Sequence, residues 1–171
     1  MVRHSIEDWF ELYEGDITSY LTYYIGSKDV EDLVQDTFMK AMKKTSKFKG
    51  QSHPKTWLIS IARNIVIDNY RKRKVWERIK HLAVHDQRYS NEMEEQTIIN
   101  QEICQLYEAI QQLPSKYKEV VILRGILELN PQEASEILNS SENHVNVLYH
   151  RSLKKLKEIL VVKVGFTNER E

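Results

Sequence analysis

The sequence predicts an all-α protein made of two small helical domains joined by a linker. Apolar residues recur every three or four positions along most of the 171 residues, the period of a helix buried on one face. Gly and Pro number only five and three, too few for the turns of an all-β fold or for a Gly-rich phosphate loop. The period fades once, from about Arg78 to Thr97. This places a first domain at 5–75, a linker at 76–98 and a second domain at 99–162.

Each element has its own signal. Ile6, Trp9, Phe10, Tyr13, Ile17, Tyr20, Leu21 and Tyr24 form the first stripe, which Gly26 ends. Ser27 is the expected cap of the next helix, whose stripe is Val30, Leu33, Val34, Thr37, Phe38, Ala41 and Met42. A polar break at 45–53 contains Gly50. Pro54 suits the first turn of a third helix, with Trp57, Leu58, Ile61, Ala62, Ile65 and Val66 on its apolar side. After the linker the period returns with Ile99, Ile103, Leu106, Tyr107 and Ile110 and stops at Leu113-Pro114. A further helix holds Tyr117, Val120, Val121, Leu123 and Ile126. Two segments follow, Pro131 to Leu138 and Glu142 to about Val161, joined by Asn139-Ser140-Ser141.

Charge is balanced overall, 25 basic against 25 acidic residues, but its distribution is not. Between Lys40 and Lys80 lie thirteen Lys/Arg and two acids, whereas Asp86 to Glu108 carries six acids and one Arg. A basic block in acidic surroundings is the pattern of one face meeting a polyanion. The single cysteine, Cys104, excludes an intrachain disulfide and a Cys-based zinc site. No apolar run approaches the ~20 residues of a membrane span, and Met1 to Trp9 has no signal-peptide core. A soluble cytoplasmic protein is expected, with no cofactor and no direct membrane insertion. No nucleophile–base pair is apparent, so no enzyme activity is expected.

Asn130-Pro131-Gln132-Glu133 reads as a helix start: Asn caps, Pro fills the first position and Glu completes a capping box. A short helix, a three-residue turn and a longer helix capped by Ser141 match a helix-turn-helix, whose second helix enters the DNA major groove. Val145, Tyr149, Ser152 and Leu156 should face inward. Glu142, Asn143, His144, Asn146, Val147, His150, Arg151 and Lys154 then face outward, and Asn, His and Arg bond base edges or phosphates. An ordinary helical hairpin with a polar outer face fits the pattern equally well.

In the first domain, Lys49, Gln51, Ser52, His53 and Lys55 lie in or beside a loop that also contains Phe48 and leads to Trp57. Arg63, Asn64, Arg71, Lys72 and Arg73 follow on the third helix. Bases near aromatics suit single-stranded or melted DNA. Trp57 is read as a core anchor because it lies on the apolar stripe, and the run Arg71 to Lys74 as phosphate contacts. Asp32 and Asp36, one turn apart with Gln35 beside them, lack a His at metal-binding spacing; no metal site is expected. Such an acidic patch is poor for DNA and suited to a basic protein partner.

The run Asp29-Val30-Glu31-Asp32-Leu33-Val34-Gln35-Asp36-Thr37-Phe38 closely resembles the core-polymerase-binding helix of bacterial extracytoplasmic-function (ECF) sigma factors. Thr56-Trp57-Leu58-Ile59-Ser60-Ile61-Ala62-Arg63-Asn64, with Asp68 and Arg71, resembles their −10 element helix. Leu113-Pro114, Tyr117 and Val120-Val121-Ile122-Leu123-Arg124 resemble the start of sigma region 4, and Glu136-Ile137-Leu138, Val145, His150-Arg151 and Leu156 its helix-turn-helix. The resemblance runs from about Ile6 to Leu160 in family order.

It implies an alternative sigma factor that directs core RNA polymerase to specific promoters and initiates transcription. Region 2 would grip the clamp helices of the polymerase large subunit through Asp32, Gln35 and Asp36. It would also read and melt the −10 element, the 48–54 loop receiving a flipped base. Region 4 would read the −35 element and contact the polymerase flap. The linker would thread toward the RNA exit path, its acids Glu92, Glu94 and Glu95 either mimicking nucleic acid or simply solvated. An anti-sigma factor, often membrane-bound in the family, is an implied partner. Asn143, His144, Asn146, Val147 and Leu148 stand where members often carry Gly, Thr, Lys, Ser and Arg; two basic residues are absent, which lowers the salt slope of binding by about two. Leu148 either touches a thymine methyl or packs on the neighbouring helix. Two other readings remain: a helix-turn-helix regulator acting without polymerase, and a sigma-like polymerase-binding protein without promoter selectivity.

Overall fold

The computed structural model describes residues 6–80 and 98–167, and among these it contains seven α-helices and no strand. They are α1 (Ile6–Ile25), α2 (Glu31–Lys44), α3 (Pro54–Lys80), α4 (Ile98–Gln111), α5 (Ser115–Val121), α6 (Pro131–Leu138) and α7 (Glu142–Thr167). A 3-10 turn, Thr45–Lys47, follows α2, and a π turn, Ile122–Ile126, follows α5. Helix α3 continues through Lys80, so 76–80 of the expected linker is helical. Its acidic end, Glu92 to Glu95, lies outside the described residues. Helix α7 also runs past the expected end near Val161.

The chain forms two compact units. Within the described residues, the first comprises 6–18 and 29–80, and the second comprises 19–28 and 98–167. Residues 19–28, expected in the first domain, therefore group with the second.

In the first unit α2 packs on α3. Val34, Thr37, Phe38 and Ala41 of α2 are buried, as are Leu58, Ile61, Ala62 and Ile65 of α3. Each fully buried Leu or Ile contributes about 1.5–3 kcal/mol, which makes these stripes the main cohesive force. Ser27 does not cap α2. The helix starts after Val30, which makes no side-chain cap but is itself buried and accepts a hydrogen bond from Val34 N at 2.9 Å. Anchoring an apolar side chain in the core decides where the helix begins, and Ser27 is left in the preceding turn.

In the second unit α7 is the central element, contacted by α4, α5 and α6. The end of α1 joins it through polar and ring contacts. Tyr20 Oη donates to Glu119 Oε1 at 3.3 Å, and Gln111 Nε2 donates to the carbonyl of Tyr23 at 2.7 Å. Lys118 Nζ donates to Gln111 Oε1 at 3.0 Å, and the Tyr23 and Tyr107 rings lie 5.5 Å apart. Burial raises the Tyr107 phenol above its usual value, with Tyr23 adding to the shift, and burial lowers the Lys118 ammonium. Gly26 is required here. Its φ of +81° favours glycine, and a Cβ would come 2.7 Å from Gln111 Oε1.

The π turn widens the chain before the helix-turn-helix: Leu127 N bonds Ile122 O at 2.9 Å, five residues back. Arg124 reaches from this turn to the carbonyl of Leu129 and lies over the Tyr149 ring, 5.3 Å from its centroid, tying the turn to α7. The cap of α6 forms as expected. Asn130 Oδ1 accepts from Glu133 N and Glu133 Oε2 accepts from Asn130 N, both at 2.9 Å. Ser141 Oγ accepts from His144 N at 3.2 Å, capping α7.

Asn139 ends α6 in the left-handed region, φ 50° and ψ 54°. Asn tolerates this conformation and β-branched residues do not. Asn139→Val is expected to destabilise the second unit by about 1–2 kcal/mol. A thermal melt should fall by about 5–10 °C, and Asn139→Gly should not lower it.

Four hydroxyls bond within their own helices, whereas the buried Thr56 Oγ1 has no hydrogen-bond partner among the described residues. Thr37 Oγ1 donates to Leu33 O, Ser152 Oγ to Leu148 O and Ser135 Oγ to Gln132 O, each at 2.7 Å. Ser60 Oγ donates to Trp57 O at 2.6 Å.

Candidate nucleic-acid interface

Three surfaces carry the residues singled out from the sequence, two on the first unit and one on the second. On α2, burial of Val34, Thr37, Phe38 and Ala41 turns the opposite face outward. Asp32, Gln35 and Asp36 are all exposed there, one turn apart. The sequence pattern missed what lies beside them. Ile6, Phe10, Gln35, Phe38, Met39 and Met42 line an apolar groove of about 300 Å³. Phe10, Met39 and Met42 are 44%, 54% and 59% exposed, far more than residues of a closed core. The acids therefore border an apolar strip, which is the composition of a protein-docking surface rather than of a nucleic-acid one. The signal was Met39, which stands off the apolar stripe; Met42, counted in that stripe, is instead exposed beside it.

The 48–53 loop is braced by aromatics. The Trp9 ring lies 5.1 Å from Phe48 and 5.9 Å from Trp57, and Phe48 lies 4.9 Å from Trp57. Trp57 is half-buried in this triad, a core anchor that also fixes the loop. Tyr13 meets the His53 ring edge-on at 5.8 Å. Gly50, φ +67°, turns the loop outward. Lys49, Gln51 and His53 are exposed and Ser52 is half-buried. Lys55 differs from its neighbours: its ammonium is held by Asp16 at 2.8 Å, so its charge is already matched.

Along α3, residues 71–75 are exposed, and with them Arg71, Lys72 and Arg73; Asn64 is exposed and Arg63 half-buried. Taking 100° per residue, Arg63, Tyr70, Arg71 and Lys74 share the side opposite Leu58, Ile61 and Ile65. Tyr70, 65% exposed, is an aromatic on this basic side that the sequence pattern did not single out.

On α7, Val145, Ser152 and Leu156 are buried and Tyr149 is half-buried. Glu142, Asn143, His144, Asn146, Val147, His150, Arg151 and Lys154 are all exposed. The structure thus leaves this whole set exposed on one helix, behind a short capped helix and a tight turn, with Asn143, Val147, His150 and Lys154 opposite the buried stripe and Glu142, at the helix start, turned nearer to it. Leu148 is half-buried, which favours packing over base contact.

Residues 9–75 match the family model of sigma-70 region 2, and residues 105–156 that of sigma-70 region 4. The chain is 33% identical over 164 residues to the RNA polymerase sigma factor YlaC of Bacillus subtilis, covering 91% of this chain and 92% of that protein. It is 30% identical over 155 residues to the ECF RNA polymerase sigma factor SigX of Bacillus subtilis, covering 87% and 80%. The chain belongs to the ECF RNA polymerase sigma factors. It is an alternative sigma factor, a class of transcription initiation factors.

The fold of this sigma factor is that of the sigma factor RpoE from Bartonella quintana, solved in complex with the anti-sigma factor NepR: TM-score 0.76, 24% identity, 91% of this chain and 96% of that one. CnrH, solved with the cytosolic domain of CnrY, matches at a TM-score of 0.67 and 21% identity over 92% of this chain and 88% of that one. No described helix of this sigma factor is long and apolar enough to cross a membrane.

Proposed function

We propose that this sigma factor acts in the cytoplasm as a promoter-selective subunit of RNA polymerase, itself without catalytic activity. The α2 face of Asp32, Gln35 and Asp36, with the groove around Phe10, Met39 and Met42, docks the clamp helices of the large subunit. The 48–53 loop and α3 hold the melted −10 element: Lys49, Gln51, Ser52 and His53 from the loop, Arg63 and Arg71 from the free side of the helix, Asn64 beside it, and Lys72 and Arg73 from its exposed end, where they point away from that side. Lys55 contributes less, because Asp16 already neutralises it. The free side of α7 reads the −35 element, and the second unit meets the polymerase flap. The observation that carries this reading is the pairing, in one chain, of an acid-and-apolar docking face with two exposed DNA-compatible faces. A regulator acting on duplex DNA alone needs neither the docking face nor the braced loop.

An anti-sigma factor is proposed as a further partner, supported by the complexes of RpoE with NepR and of CnrH with CnrY. Recovery of polymerase alone from the cell under all growth conditions would count against it.

Run-off transcription of sheared genomic DNA tests the reading, using core polymerase with and without the protein and sequencing the 5′ ends. New transcripts sharing a −35/−10 pair are expected. Binding to core without new transcripts would leave a sigma-like protein lacking promoter selectivity, a reading that the shortage of cations at 142–150 of α7 favours. Failure to bind core would favour a free DNA-binding regulator.

The basic end of α3 makes its own prediction. Replacing Arg71, Lys72 and Arg73 together with Ala should reduce the slope of log K against log salt by about 2–3, since each duplex phosphate contact contributes about 0.9 and each single-strand contact about 0.7. A salt titration of holoenzyme binding to the promoter measures it. An unchanged slope would remove these residues from the DNA contact.

A further inference from the structure

Val147 sits in the middle of the free side of α7. Buried Val145, Ser152 and Leu156 define the inward direction of the helix. At 100° per residue, Asn143, Val147, His150 and Lys154 all lie within about 40° of the opposite direction. Three of these four are polar or charged, and the nearest flanking positions, Asn146 and Arg151, are polar as well. Val147 is 41% exposed and is the one apolar side chain of this stripe in the first half of α7, the half that reaches base edges in a helix-turn-helix; Val161, on the same side, lies near the far end. Leu148, one residue on, lies about 60° from the inward direction and is half-buried, so it cannot play the same part.

An isopropyl group forms no hydrogen bond, so it distinguishes bases only where the major groove itself presents an apolar group. Among the four natural bases that group is the C5 methyl of thymine. The neighbours are consistent with this. Asn143 and Asn146 are amides, which pair with the N6 and N7 edge of adenine, and every A·T pair offers that edge and the methyl in the same groove. In a helix-turn-helix these positions, near the start of the second helix, are the ones that reach base edges.

We propose that Val147 is a specificity-determining residue that reads the C5 methyl of a thymine in the −35 element. The proposal rests on the reading of α7 as the −35 helix. It adds a contact that is dispersive and hydrophobic, insensitive to salt, on a stretch of helix, 142–150, that has no Lys or Arg to hold phosphates. Selectivity at this position then comes from one methyl group packed against another.

The experiment uses holoenzyme and a synthetic duplex carrying a promoter found by the run-off assay. Each thymine of the −35 element, on either strand, is replaced in turn by deoxyuridine, which pairs as thymine does and lacks only the C5 methyl. Binding is followed by fluorescence anisotropy for the native protein and for Val147→Ala. One replacement is expected to weaken native binding about fourfold, the effect of one buried methyl. The same replacement should leave Val147→Ala binding unchanged. The proposal is overturned if no deoxyuridine alters native binding, if the sensitive position responds equally in Val147→Ala, or if the −35 element contains no A·T pair. The native-protein scan needs no mutant, so a folding defect in Val147→Ala cannot mask the result. Failure of the underlying reading is distinct: it shows already in the run-off assay as the absence of new start sites, and it overturns this proposal too.

Discussion

Trp9→Ala is expected to lower the stability of the first unit by about 4 kcal/mol, the cost of truncating a buried tryptophan. Trp9 is 6% exposed and touches both Phe48 and Trp57. Removing it opens a cavity at the foot of the 48–53 loop, so the loop loses its support along with the core. Urea unfolding monitored by circular dichroism reads the first effect, and probing of unpaired thymines at the −10 element with permanganate reads the second. Both should fall together. A loss of stability with undiminished melting would show that the loop does not depend on the aromatic triad. Trp9→Phe, which keeps a ring in place, should restore most of both signals.

The second large effect is expected at α2. Reversing two charges, Asp32→Lys with Asp36→Lys, should weaken binding to core polymerase by more than about a hundredfold, because like charges brought face to face across an interface cost several kcal/mol. Both carboxylates are exposed, so the folded chain itself should melt at nearly the native temperature. Competition against the native protein for core measures the affinity. Retained binding would move the docking surface elsewhere. Met39→Ala, which trims the adjoining groove without touching charge, separates the apolar part of the same contact: its effect should persist at high salt, where that of the charge reversal shrinks.

How much of this was legible in the sequence depended on distance along the chain. The start of α6 was readable because Asn130, Pro131 and Glu133 act on one another across a single turn. The outward set on α7 followed from a regular period, and every member is exposed. The start of α2 was misread because Ser27 offered a local cap while burial of Val30, a tertiary effect, governs the boundary. The grouping of residues 19–28 with the second unit rests on Tyr20 meeting Glu119 and Tyr23 meeting Gln111, about ninety residues apart, and no local pattern announces such pairs. The family of the chain was legible from its motifs. The groove beside Asp36 and the exposure of Tyr70 were not, since each depends on which side of a helix its neighbours cover. Nothing in the basic block distinguishes Lys55 from its neighbours, because Asp16, its partner, lies 39 residues away on another helix.

The hydroxyls of Thr37, Ser60, Ser135 and Ser152 each close on a carbonyl of the same helix, three or four residues back. At these sites the seams between helices carry no directional polar matching. An apolar side chain on one side of a seam answers only to volume and shape on the other, and compensating changes of size are tolerated. Such seams are compatible with one fold being held by sequences only 24% identical. At these seams a loss of volume on one side is made good by a gain on the other, so the interior can repack without altering the residues that the faces of α2, α3 and α7 present.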